Sequence, residues 1–234
     1  MQKAVFFLAL LLCAGLQTTV VGQSEFQGTV DYKFEINGEG AEFMALMMPQ
    51  KMVVKYGKKS MMTYFVGGMM EAMVGKIVVD GQHDEVFIVK EDEETVYMMG
   101  PEDLEEGQEV STPKEVVKEK ETETIMGYKC QKYKVVLAGE EGAEQVQYIW
   151  TTEKLKAPNF KAGSAGKFNM MGNLPEGAVP GFPLKVTTLA DPSMDITVTM
   201  VASMIDEQSI PKEEFYRPKD YEVKEFDANS LLGN

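Results

Sequence analysis

The chain has 234 residues, with 37 acidic against 23 basic side chains and a formal charge of −14; such a balance repels nucleic-acid phosphates and anionic lipid surfaces and argues against both as partners. Hydrophobic residues make up 44% and charged residues 26%, enough of each for a globular domain with a buried core. The single histidine cannot build a multi-histidine metal centre.

Residues 1–22 read as a cleavable signal peptide: Lys3, an apolar core from Ala4 to Leu16, then Val20-Val21-Gly22 before the cut. The apolar core is too short to span a bilayer. Cys13 follows bulky Leu12, so there is no clear lipid-attachment box. Cleavage leaves Cys130 as the sole thiol, which rules out an intramolecular disulfide. The roughly 210 residues that remain suit one domain, expected over 23–226 with a flexible tail at 227–234. The expected location is the periplasm or the outside of the cell, without an integral membrane segment.

Glu25 to Asn37 alternates apolar and polar residues and reads as a first strand, closed by the turn residues Asn37 to Gly40. Ala41 to Met73 is of mixed period: Pro49 stops any helix through Met48, Lys51 to Tyr56 and Met61 to Val66 are strands, and Gly67-Gly68 is a hinge or bulge. Met69 to Val74 is a helical turn or part of a lid. Lys76 to Asp80, Glu85 to Lys90 and Glu94 to Met99 form an antiparallel meander. Pro101 to Pro113 is an acidic loop, and Glu115 to Ile125 is an amphipathic strand leading to a hairpin.

That hairpin, Tyr128 to Thr152, has the clearest period-two alternation in the chain and holds the only Trp, Trp150. It is expected at the centre of the sheet, with Trp150 buried as its anchor and a turn at Gly139 to Gly142. Thr151 to Lys154 is a possible helix start. Asn159 to Gly181 is glycine-rich loop, and Phe182 to Leu189 and Asp195 to Met204 are the last strands. One helical turn follows Ile210-Pro211, with Phe215 and Tyr221 anchoring the end of the chain on the sheet edge. The fold class is therefore mainly β: a curved antiparallel sheet or incomplete barrel of about ten strands, with one or two short helices covering the concave face.

Ile125, Gly127, Tyr128, Cys130 and Lys132, followed by Trp150-Thr151-Thr152, resemble the Ile-x-Gly-Tyr-x-Cys-x-Lys core of two exported families from Bacteroidetes-type bacteria. One is the domain-of-unknown-function family numbered 4412, the other is named for its Gly-Leu-Pro-Gly-Leu-Ile motif. Gly181-Phe182-Pro183-Leu184 is similar to the first family's Gly-x-Pro-Leu, whereas Lys185-Val186 departs from the longer motif of the second. The resemblance favours the first, gives Gly181 and Pro183 a structural role, and implies the incomplete barrel of the lipoprotein carriers. It implies no activity.

Nine methionines fall between Met44 and Met73. Flexible, polarizable Met suits surfaces that accept varied apolar ligands. Met44, Met47, Met48, Met61 and Met62, with Phe65, Met69, Met70 and Met73, are the expected lining of such a surface, and Phe160 to Met171 is its expected flap, adding Phe168, Met170 and Met171 to the lining. An ordinary core is the competing explanation. The i, i+3 spacing of Met44/Met47 and Met70/Met73 could serve Cu(I), but no His or Cys lies near them in sequence. His83 sits in a turn without a nucleophile at a recognisable spacing, Cys130 alternates inside a strand, and the acidic clusters lack calcium-loop spacing. No catalytic residue, metal or cofactor is assigned. The expected function is a non-enzymatic exported binding protein for a lipid or acyl chain; the alternative is an envelope structural or protein-interaction module without a small ligand.

Overall fold

The computed structural model describes residues 25–39, 41–100, 103, 112–138, 144–156, 158, 174, 177–191 and 196–227. The expected leader, the Gly139 to Gly142 turn, the Phe160 to Met171 flap and nearly all of the acidic loop and the tail lie outside them.

Twelve strands among the described residues form one open, curved sheet. In chain order they are β1 (Gly28–Asn37), β2 (Lys51–Tyr56), β3 (Ser60–Val66), β4 (Lys76–Asp80), β5 (Glu85–Lys90) and β6 (Thr95–Met98), then β7 (Glu115–Ile125), β8 (Tyr128–Ala138), β9 (Glu144–Thr152), β10 (Phe182–Asp191), β11 (Ile196–Asp206) and β12 (Glu222–Glu225). Their spatial order is β12-β6-β5-β4-β3-β2-β1-β11-β10-β9-β8-β7. β1 joins two antiparallel meanders, because its other neighbour is β11. Two short helices, α1 (Ala41–Met47) and α2 (Gly68–Val74), interrupt the first meander, and a 3-10 turn (Lys212–Phe215) precedes β12.

The turn residues shape the hairpins. Met126 and Gly127 both take positive φ, 50° and 83°, the paired left-handed geometry of a tight two-residue turn, which sets Ile125 opposite Tyr128. The β8–β9 hairpin, expected at the centre of the sheet, lies near its end instead, with only the edge strand β7 beyond it. The charged residues of β7 and an irregularity between Lys118 and Thr122 blunt that edge. The Gln131 side-chain amide fills the irregularity, donating to the carbonyls of Glu119 at 2.5 Å and Glu121 at 3.2 Å. Thr151 to Lys154 starts no helix; β9 runs through Thr152 and the chain then bends.

The largest core cluster joins Val30, Tyr32, Met52, Val54 and Met61 to Ile125, Cys130, Trp150, Phe182 and Leu184. Extra residues at Leu184 in β10 and Ser203 in β11 shift the register against their neighbours. An inserted residue breaks strict alternation and bends the strand, so both meanders contribute to one core. A second cluster, Met62, Val78, Phe87, Val89 and Val96, is covered by Phe215 and Tyr221 of the C-terminal segment. β12 then adds to β6 in parallel.

Candidate functional site

The methionine-rich stretch builds a helix-capped region at the end of β1. Gly68 starts α2 at φ 68°, and a Cβ there would lie 2.4 Å from the Met48 carbonyl oxygen, so only glycine lets the chain pass so close. Glu71 accepts the Gly67 backbone N–H at 2.7 Å and closes the first turn. At the other end Lys90, buried on β5, donates to the Ala72 carbonyl at 3.0 Å and ties α2 to the sheet. α2 packs on β3 and on α1, which in turn packs on β1.

Burial grades from floor to mouth. Tyr32, Met52, Val54 and Met61 are buried. Phe34 and Phe65, with ring centroids 6.5 Å apart, pack on them but remain half-exposed, as does Met200 opposite Phe34. Met44, Met48, Met70 and Met73 on or beside the helices are half-buried, while Leu46, Met47 and Met69 are 79%, 47% and 53% exposed. Each helix carries one acidic residue in its first turn and no basic residue in its last. The result is an apolar surface that the two helices cover incompletely.

The expected lining is thus divided. Met44, Met48, Met61, Phe65, Met70 and Met73 belong to the helices or to the face beneath them, whereas Met62 is a correction. It points from the other face of β3 and packs with Phe87 and Phe215. Phe168, Met170 and Met171 lie outside the described residues. Phe34 and Met200 were missed because their strands are ordinary amphipathic ones; only strand order brings them beside Phe65.

The motif residues form a separate structural clamp across four strands. Ile125, Cys130 and Trp150 are buried, and Tyr128 is half-buried. Lys132 Nζ lies 4.6 Å from the Tyr148 ring centre and 5.2 Å from that of Trp150, and Lys185 Nζ lies 4.5 Å from the latter. Glu121 and Glu123 hold the two ammonium groups, each at 2.8 Å. The hydrogen bond to Glu121 is the main cause of a raised Lys132 pKa. Burial pushes the Cys130 thiol up, away from the reactive thiolate. The Pro183 carbonyl accepts from the Tyr32 hydroxyl at 3.0 Å, and exposed Gly181 takes φ 92° as the chain enters β10.

His83, 57% exposed, meets Asp80 at 2.6 Å and packs on the Tyr216 ring. It sits in the β4–β5 turn, while Cys130 lies in the other meander, so the two do not form a nucleophile–base pair.

A curved, open antiparallel sheet, partly covered by short helices at one end, defines a single-sheet β protein of the incomplete-barrel class. The chain belongs to the family described as "Domain of unknown function (DUF4412)", whose model matches residues 26–221. No curated protein matches it. Among solved structures it is similar to PNGF-II at 14% identity and TM-score 0.48, covering 88% of this chain and 33% of that one. The chain therefore spans about a third of that protein's length. A LolA superfamily protein from Nitrosomonas europaea aligns at 10% identity and TM-score 0.35 over 82% of this chain and 91% of the other. A putative outer membrane lipoprotein-sorting protein domain from Vibrio parahaemolyticus aligns at 10% and 0.27 over the same shares. Among the described residues no helix is long and apolar enough to cross a membrane.

Proposed function

We propose that this is an exported, non-enzymatic binding protein that holds an apolar ligand, a lipid or acyl chain, between the sheet and helices α1 and α2. The observation that carries the reading is the graded exposure of Phe34, Phe65 and Met200 under two helices with unburied Met and Leu side chains. Apolar side chains packed on a core yet left open supply the contact area that an acyl chain needs, at about 25 cal/mol per Å². Unbranched Met adapts to ligands of different shape. Native mass spectrometry of protein purified from its own cell envelope tests this: a co-purifying lipid is expected, and a bare polypeptide mass together with no binding of a fluorescent fatty acid would reject it.

An envelope structural module without a small ligand is the second reading. It is favoured by Met52, Met61 and Met62, which are buried in closed clusters and so account for part of the methionine content by packing alone.

A further inference from the structure

The two helices concentrate one chemical group: Met44 and Met47 on α1, Met48 beside it, and Met69, Met70 and Met73 on α2. Because α1 and α2 pack on one another, these thioethers share one end of the molecule. Their access to solvent is unequal. Met47 and Met69 are 47% and 53% exposed, Met44, Met48, Met70 and Met73 are half-buried, and Met52, Met61 and Met62 in the strands are buried.

A thioether takes an oxygen atom from a peroxide without first losing a proton, so exposure decides how fast it reacts. The competing sulfur group is closed off. The Cys130 thiol is buried, and burial pushes its pKa up, away from the reactive thiolate. The other cysteine, Cys13, lies within the expected leader. Hydrogen peroxide is neutral, and the chain's formal charge of −14 does not repel it.

We propose that Met47 and Met69 form a reversible oxidation site that turns the surface of α1 and α2 from apolar to polar. Each sulfur gives an electron pair to one peroxide oxygen; the O–O bond breaks, the sulfoxide forms and the second oxygen leaves as water. A dithiol reductant reverses the step: the dithiol is oxidised to a disulfide, the sulfoxide is reduced and its oxygen leaves as water. Both side chains face solvent, so the sulfoxide is hydrated and the helices keep their packing. A sulfoxide at Met52 or Met61 would instead put a polar group into the core. The site rests on exposure and sulfur chemistry and does not depend on a ligand beneath the helices.

Peptide mass mapping after brief exposure of the protein to hydrogen peroxide tests it, with hydrophobic-interaction chromatography of the folded protein as the second readout. One added oxygen at Met47 and at Met69 is expected about tenfold sooner than at Met52, Met61 or Met62, whose reaction waits for local opening. The oxidised protein should elute earlier, and the two epimer-specific methionine sulfoxide reductases with dithiothreitol should restore its elution. Met126, 47% exposed in the β7–β8 turn, and Met204, 36% exposed on β11, serve as controls. They react as exposed thioethers do, but Met126→Leu/Met204→Leu should leave the elution shift intact. Met47→Leu/Met69→Leu preserves apolar side chains of similar volume and should hold its elution under the oxidant. Met47 and Met69 reacting no faster than the buried methionines would overturn the proposal. So would an elution shift that survives in Met47→Leu/Met69→Leu, or one that the reductases fail to reverse. Neither readout uses a lipid, so failure of the acyl-chain reading leaves this test unaffected.

Discussion

Met61 and Met62 are neighbours in sequence and belong to opposite faces of the sheet. Met61 pairs with Tyr56 and Val79 and joins the core beneath the helices, whereas Met62 pairs with Lys55 and Val78 and packs against Phe215. The period of two along β3 makes this unavoidable.

Substitution by glutamine should separate these roles. Met62→Gln places an amide among apolar neighbours and is expected to cost about 1 to 3 kcal/mol without affecting apolar-probe binding. Met69→Gln/Met70→Gln/Met73→Gln, on the incompletely covered helix, should cost roughly 1 kcal/mol and abolish binding of a fluorescent fatty acid. Urea melts and probe titrations report both. A triple variant that binds as the parent does would remove the helices from the site.

The C-terminal segment should behave as a strap. Phe215 is 1% exposed, and Lys55–Glu214 and Arg217–Glu85 ion pairs flank it at 2.5 and 3.0 Å. Phe215→Ala is expected to cost about 3 to 5 kcal/mol, and hydrogen exchange should show β12 losing protection before β1. Gly57→Ala should act on the same contact, because its Cβ would come within 2.7 Å of the Phe215 ring.

Alkaline stability should depend on Tyr128. Its hydrogen bond to Glu207, followed by burial and the charge of the same carboxylate, pushes its pKa up to about 12. A raised pKa favours the protonated phenol in the folded state. The associated stability is fully present below the ordinary tyrosine value of about 10 and is lost as pH rises towards 12. Tyr128→Phe should flatten part of that loss in denaturant melts followed from pH 9 to 12. An unchanged slope would show that the bond to Glu207 does not persist in solution.

Cys130 and Trp150 report on the same core. Cys130 is 0% and Trp150 is 6% exposed, so an aromatic disulfide reagent should label the native thiol only as fast as the protein opens, and iodide should barely quench a blue-shifted emission. Rapid labelling with a water-like emission maximum would place the β8–β9 hairpin outside the core.

Local alternation, with its turn residues, was sufficient for eleven of the twelve described strands, but it left Met69 to Val74, within α2, open between a helical turn and part of a lid. Those features depend on residues within a few positions of one another, and the burial of Trp150 follows from having one large apolar anchor in an amphipathic strand. Glu222–Glu225 was not legible as β12, since all four residues are exposed and the strand exists only because β6 offers it an edge. The same holds for the place of the β8–β9 hairpin near the end of the sheet, the pairing of β1 with β11, and the meeting of Phe34, Phe65 and Met200. Alternation says which residues share a face of one strand, but not which strand lies beside it. The neighbour is chosen by hydrogen bonding between residues far apart in the chain, and the bulges at Leu184 and Ser203 then decide which faces close on a common core.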